Sequence, residues 1–406
     1  MKQEIHIASI GGVLALGFAL ALPACTLPTK LGDFAETGDT EDPTATSTSG
    51  GGSGTTIGDD PDPTGSTGAG SAGTSGDPAC TPAKVTHKPL RPNVVLVLDK
   101  SGSMVAPDGG TWDHDGDPNT PDVTRWWSLH AAVAEIVSEF ELAIDFGAHL
   151  FPSVAAKGAY NATSCPVDPE IDIPVAPANA AAILAGIPAA DDDLLMGGTP
   201  MAAGVTVALD HLRSLDPKVP RAIMLVTDGA ANCAVGAEPP ALFESYDDSV
   251  HAIVGDAFAL EGIPTYVVGV GIADEVTPEG QDGTPDGINP FEKLNELAIL
   301  GGKPKDHPDE KFYNTENGVE LAAALKAITF DALSCIVPLD PPLVAPEGLA
   351  VEIDGEPIPQ VAACDGGSGW TFTNPEGPFD AIELCGSACM GLKLAGEADI
   401  TVCVEH

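Results

Sequence analysis

Apolar residues fall along this chain with two alternating periods. Residues 94–98 are an unbroken apolar run, and residues 223–226 and 266–270 repeat it with one Gly interruption. Runs of this kind predict parallel strands buried on both faces. Between them the period changes, and Leu129, Val133, Ile136, Val137 and Phe140 share one face of a helix. Residues 201–212 predict a second helix, with Thr199 and Pro200 suited to its cap and first turn. Further helices are expected over 247–260, 291–300 and 319–333, and weaker strands over 146–151, 170–175 and 311–315. This alternation predicts an α/β fold: a doubly wound, mostly parallel six-stranded sheet with helices on both faces.

After residue 335 the helical period gives way to short strands. Val351-Glu352-Ile353 before Asp354-Gly355 predicts a hairpin with a tight turn, and 371–373, 381–384 and 400–402 predict further strands. Residues 89–335 therefore read as one large domain, and 336–406 as a small disulfide-rich β module at the C-terminus. Four Cys lie in that module and Cys335 lies at its border, which suits a core too small to stand without staples.

The N-terminal segment has a different character. Lys2 precedes an apolar stretch over 7–22 that closes in Leu22-Pro23-Ala24-Cys25. Its length and small-residue ending predict an export signal over residues 1–25 rather than a membrane span. The Leu-x-Ala-Cys ending resembles a bacterial lipobox, which implies that Cys25 is lipidated and begins the mature chain. Ordinary cleavage after Ala21 or Ala24 is the alternative and gives a free exported protein. From residue 37 to 79, 27 of the 43 positions are Gly, Ser or Thr, with no Lys, Arg or aromatic residue. Such a segment cannot offset the entropy of ordering, so 26–88 is expected to be a disordered tether spanning on the order of 45 Å.

Charge narrows the partners. Lys and Arg number 17 against 60 Asp and Glu, a net charge of −43. That balance excludes nucleic acid, whose phosphates need a basic surface, and any polybasic anchor on anionic lipid. The membrane is then reached only through the lipid on Cys25. Of nine Cys, eight remain without Cys25, and an even remainder in an exported chain predicts disulfides. A zinc site from Cys385, Cys389 and Cys403 is the weaker reading, because those residues contain no CxxC pair.

Candidate chemistry sits where the strands end. Asp99-Lys100-Ser101-Gly102-Ser103 follows the first strand, Thr227-Asp228-Gly229 follows the later one, and Gly197-Gly198-Thr199-Pro200 opens the helix between them. In an open α/β sheet these positions face one crevice beyond the carboxyl ends of the strands. Carboxylates and hydroxyls together are hard-oxygen donors suited to Mg²⁺, Mn²⁺ or Ca²⁺.

In that order, DKSGSM, GGTP and TDG resemble the metal-ion-dependent adhesion site (MIDAS) of the von Willebrand factor A (VWA) domain. The resemblance covers about residues 90–333 and implies a metal set of Asp99, Ser101, Ser103, Thr199 and Asp228. It implies one divalent ion, Mg²⁺ first, whose open position accepts an acidic residue of a protein ligand. It also implies that the strands before Cys165 and Cys233 flank the first strand, so that a Cys165–Cys233 disulfide would roof one side of the site.

Four long loops, 105–124, 153–169, 230–246 and 272–289, are expected at the rim, where loops on a fixed scaffold carry specificity. Asp113, Asp115 and Asp117 in the first are spaced like part of a calcium loop, although their Gly is misplaced and no Glu closes the frame. A solvated acidic turn is the alternative. Trp126 and Trp127 are expected to divide between core and rim. No G-x-S-x-G and no phosphate-binding G-x-x-x-x-G-K-[ST] occurs, so the chain is not read as an enzyme. The reading is an exported lipoprotein of the cell envelope, at the outer membrane or cell surface, acting as a metal-dependent adhesion-type binding protein. A non-catalytic accessory subunit of an envelope enzyme or transport complex is the alternative.

Overall fold

A computed structural model describes residues 81–106, 110–344 and 349–404. The expected signal segment, Cys25, the tether as far as residue 80 and Cys80 lie outside the described residues. Strand β1 is Thr81–His87, and β2 is Asn93–Asp99. A two-residue pair, β3 (Thr111–Trp112) and β4 (Val123–Thr124), precedes α1 (Arg125–Phe140). Then come β5 (Asp145–Phe151), β6 (Ile173–Ala176), α2 (Ala180–Gly186) and α3 (Met201–Arg213). Next are β7 (Arg221–Thr227), α4 (Ala241–Glu244), α5 (Ser249–Glu261) and β8 (Thr265–Val270). The region closes with α6 (Pro290–Leu300), β9 (Tyr313–Thr315) and α7 (Gly318–Ala332).

Six strands form one sheet in the order β6-β5-β2-β7-β8-β9. The five from β5 to β9 run parallel, and edge strand β6 is antiparallel to β5. The connection from β5 to β6 carries no α-helix, so it is not the helical crossover that usually joins parallel strands. Alternate residues of β2 feed opposite cores. Val94, Leu96 and Leu98 pack with Leu129 and Ile136 of α1 and Leu325 of α7. Val95 and Val97 pack with Val205 and Leu209 of α3, Val254 of α5 and Leu297 of α6. The unbroken apolar run is the consequence of having helices on both faces. Trp126 is fully buried, with its Nε1–H donating to the Ala189 carbonyl at 3.0 Å, whereas Trp127 is exposed.

The last region contains β10 (Ile336–Leu343), β11 (Leu349–Ile353), β12 (Glu356–Ile358), β13 (Gly369–Phe372) and β14 (Phe379–Cys385). Helix α8 (Gly386–Ala395) and β15 (Ala398–Val404) follow. Sheets β1-β15-β11-β12 and β10-β14-β13 enclose a core around Trp370, Phe372 and Leu392. The hairpin of β11 and β12 turns at Asp354 and Gly355, both with positive φ, as a tight I′-type turn requires. Cys335–Cys389 and Cys364–Cys385 are disulfides.

Three expectations are corrected. Residues 81–87, assigned to the tether, form β1 along β15, a pairing no local pattern could announce. The C-terminal module carries a ten-residue helix, α8, and is not purely β. Thr199 does not cap α3: Pro200 occupies the N-cap position, and no side chain caps that end.

Candidate metal centre

Strands β2 and β7 are parallel neighbours, so Asp99 and Asp228 emerge side by side at the same end of the sheet. The Asp99 carboxylate accepts the Ser101 backbone N–H at 2.8 Å and the Thr227 hydroxyl at 2.6 Å. Ser101 Oγ lies 2.9 Å from Ser103 Oγ, and the Ser103 hydroxyl donates to Asp228 Oδ1 at 2.7 Å. Arg125, the first residue of α1, donates from Nη1 to Asp228 Oδ2 at 3.0 Å. Both oxygens of each carboxylate are thus engaged, which fixes their orientation. The turn between Ser101 and Ser103 is tied to the next loop by the Gly102 N–H, which donates to the Gly197 carbonyl at 3.2 Å.

Thr199 reaches the same place on the loop before α3. Its neighbour Gly198 donates to the Ser164 carbonyl at 2.9 Å. The Thr199 N–H donates to Asn232 Oδ1 at 2.7 Å, and the Asn232 N–H returns to the Thr199 carbonyl at 3.0 Å. The Thr199 hydroxyl makes no hydrogen bond to the described residues. Cys165 and Cys233 are bonded, with Cα atoms 5.8 Å apart, and so join the loops that hold the Thr199 segment. Ser101, Ser103, Thr199 and Asp228 line one cleft of about 560 Å³; Asp99 is fully buried behind them, bonded to the Ser101 N–H. All four long loops contribute to its wall, through Ala106, Tyr160, Phe243 and Asp282 among others.

Electrostatics marks the floor of this cleft as short of positive charge. Burial pushes the Asp99 carboxyl up to about 7, the Asp228 charge adds to the rise, and the Thr227 and Ser101 hydrogen bonds oppose it. Burial also raises Asp228, against the Arg125 guanidinium. The Arg125 guanidinium reaches only Asp228, so two adjacent buried carboxylates have one such partner between them, and a bound cation would stabilise both in their charged forms. The remaining donors are hydroxyl oxygens, so the set suits Mg²⁺ or Mn²⁺ and contains no soft ligand.

The three Asp of the first long loop are brought together only in part. Asp113, His114 and Asp115 present one donor atom each within 4.8 Å of one another. Asp117 turns instead to Asn119, accepting its backbone N–H at 3.0 Å and its amide at 2.7 Å. Sequence reasoning missed Arg125 and Asn232, and it named Thr227 without giving it a role. Thr227 donates to the Asp99 carboxylate; Arg125 and Asn232 carry no motif, and only folding places them at the site.

No protein-family model and no curated protein matches the sequence. Among solved structures, the chain is similar to the pilus adhesin SpaC from Lactobacillus rhamnosus GG, at 15% identity and a TM-score of 0.43. That match covers 79% of this chain and 40% of the adhesin, so the chain spans well under half of that protein. The PilB minor pilin from Streptococcus sanguinis matches at 18% identity and a TM-score of 0.36, over 60% of this chain and 61% of the pilin. A manganese-loaded TRAP protein from Plasmodium vivax matches at 14% and 0.36, over 62% of this chain and 78% of its own. Similarity at this level assigns no function.

Proposed function

We propose that residues 89–335 form a VWA-type domain whose Asp99, Ser101, Ser103, Thr199 and Asp228 hold one divalent ion, Mg²⁺ first, to bind a protein ligand. The observation that carries this reading is the chain of contacts from Asp99 through Ser101 and Ser103 to Asp228, with the free Thr199 hydroxyl in the same cleft. The three hydroxyls would hold the ion, while the two buried carboxylates supply the charge that offsets it. A bound divalent ion supplies a Lewis-acidic position for an acidic side chain of the ligand. The rim loops then decide which ligand fits, and the chemistry is binding rather than turnover. Cys25 would carry the lipid, and the Gly/Ser/Thr-rich segment would hold the domain away from the membrane as an envelope lipoprotein. Among the described residues no helix is long and apolar enough to cross a membrane.

The test uses the full-length chain produced with its signal segment. The membrane fraction should retain it, Cys25→Ser should release it, and envelope proteins captured on it in Mg²⁺ should elute with EDTA. Thr199→Ala should capture none of them. Capture that is indifferent to both EDTA and Thr199→Ala would refute metal-dependent binding, and unchanged fractionation of Cys25→Ser would refute the anchor.

A further inference from the structure

Asn232 joins three loops around the cleft and is almost wholly buried, at 1% exposure. Its Oδ1 accepts the Thr199 N–H at 2.7 Å, its own N–H donates to the Thr199 carbonyl at 3.0 Å, and its Nδ2 donates to the Gly283 carbonyl at 2.9 Å. Thr199 is therefore held on both sides of its α-carbon by one residue of a different loop. The approach is so close that a Cβ on Gly198 would stand 2.7 Å from Cys233 Sγ and 2.9 Å from Asn232 Oδ1. Only glycine fits there. The disulfide from Cys233 to Cys165 fastens the loop that carries Asn232, and the Ser164 carbonyl, one residue before Cys165, takes the Gly198 N–H at 2.9 Å. The loop from β8 reaches the same device through Gly283.

We propose that Asn232 is the positioning residue of the metal centre: it sets the Thr199 hydroxyl toward the ion and couples that ligand to the rim loop at Gly283. The inference rests on the metal reading above. It assigns Asn232 no contact with the ion, and every effect of Asn232 on the metal passes through Thr199. A ligand loop held at a single well-defined position loses little entropy on binding, and partners of this indirect kind are worth about 10–100-fold in metal affinity.

A double-mutant cycle tests it, read by calorimetric titration of Mn²⁺ into the full exported chain, with thermal unfolding in EDTA as the control for folding. Asn232→Ala should weaken Mn²⁺ binding about 10–100-fold in the wild-type background. In the Thr199→Ala background it should change binding by less than about twofold, because the ligand through which it acts is gone. Independent, additive losses would overturn the proposal. Asn232→Ser, which removes the Nδ2 donor to Gly283 without adding charge, is the second arm if Asn232→Ala does not fold. Its effect on Mn²⁺ binding should likewise fall below about twofold in the Thr199→Ala background, and an undiminished effect there would overturn the proposal. A wild-type chain that takes up no Mn²⁺ overturns the metal reading itself, which distinguishes the two failures.

Discussion

The six-stranded sheet and the C-terminal module solve the problem of burial in opposite ways. Strand β2 lies at the centre of the sheet, all seven of its residues are buried, and two separate helical layers cover it. Its stability comes from apolar area, at about 25 cal/mol per Å² removed from water. The module has one small core, and its outer strand β1 must meet β15 from the far end of the folded chain, with Thr86 and Asp399 separated by 313 residues. Closing so long a loop is entropically costly, and Cys335–Cys389 and Cys364–Cys385 offset part of the shortage within the module. The large domain has a bridge among the described residues too, Cys165–Cys233, but places it at the cleft rim rather than under its core. Disulfides thus staple a small core in one region and clasp two loops beside the cleft in the other.

Breaking this division gives the largest expected effect. Replacing Cys335 and Cys389 together by Ser should cost the module about 2–5 kcal/mol, as for other small stapled domains. Scanning calorimetry should show the module melting at lower temperature while Mn²⁺ affinity is unchanged. A parallel loss of Mn²⁺ affinity would show that the two regions are not independent in function.

A smaller effect comes from pH and sharpens the contrast from the other side. The Asp99 carboxyl is raised to about 7 in the folded, metal-free chain, above its ordinary value of 3.8. The folded state therefore holds that proton more tightly than the unfolded state does. The stability it contributes is present in full below the unfolded value and is lost as pH rises through about 7. Metal binding needs the carboxylate, so the ion should be bound more tightly over the same rise. Unfolding in EDTA should show the large domain losing stability from about pH 4 to about pH 7, and added Mg²⁺ should restore more at the upper end. A Mg²⁺ effect that shrinks as pH rises would contradict the placement of Asp99 at the ion.

The same contrast explains what could be read from the sequence. Strands at Val94–Leu98 and Ile223–Val226 announce themselves because burial on both faces forces every residue to be apolar. The carboxylates and hydroxyls of the cleft are legible because they directly follow those strands. Strand β1 was hidden, because its register depends on β15 and not on its own Thr81-Pro82-Ala83-Lys84 pattern. Helix α8 escaped for a related reason: Gly386, Gly391 and Gly396 obscure its apolar face of Ala388 and Leu392, which tertiary packing selects. Arg125 and Asn232 act through partners 103 and 33 residues away, a relation that composition and spacing do not encode.

On the proposed reading, the charge of Asp99 and Asp228 is what allows the hydroxyls of the cleft to hold one divalent ion. Calorimetric titration of Mg²⁺ and Mn²⁺ into the wild-type chain and into Asp99→Asn and Asp228→Asn tests it most directly. Wild type should show one high-affinity site per chain and neither variant any, with all three chains folded. Equal affinity in the three chains would contradict it.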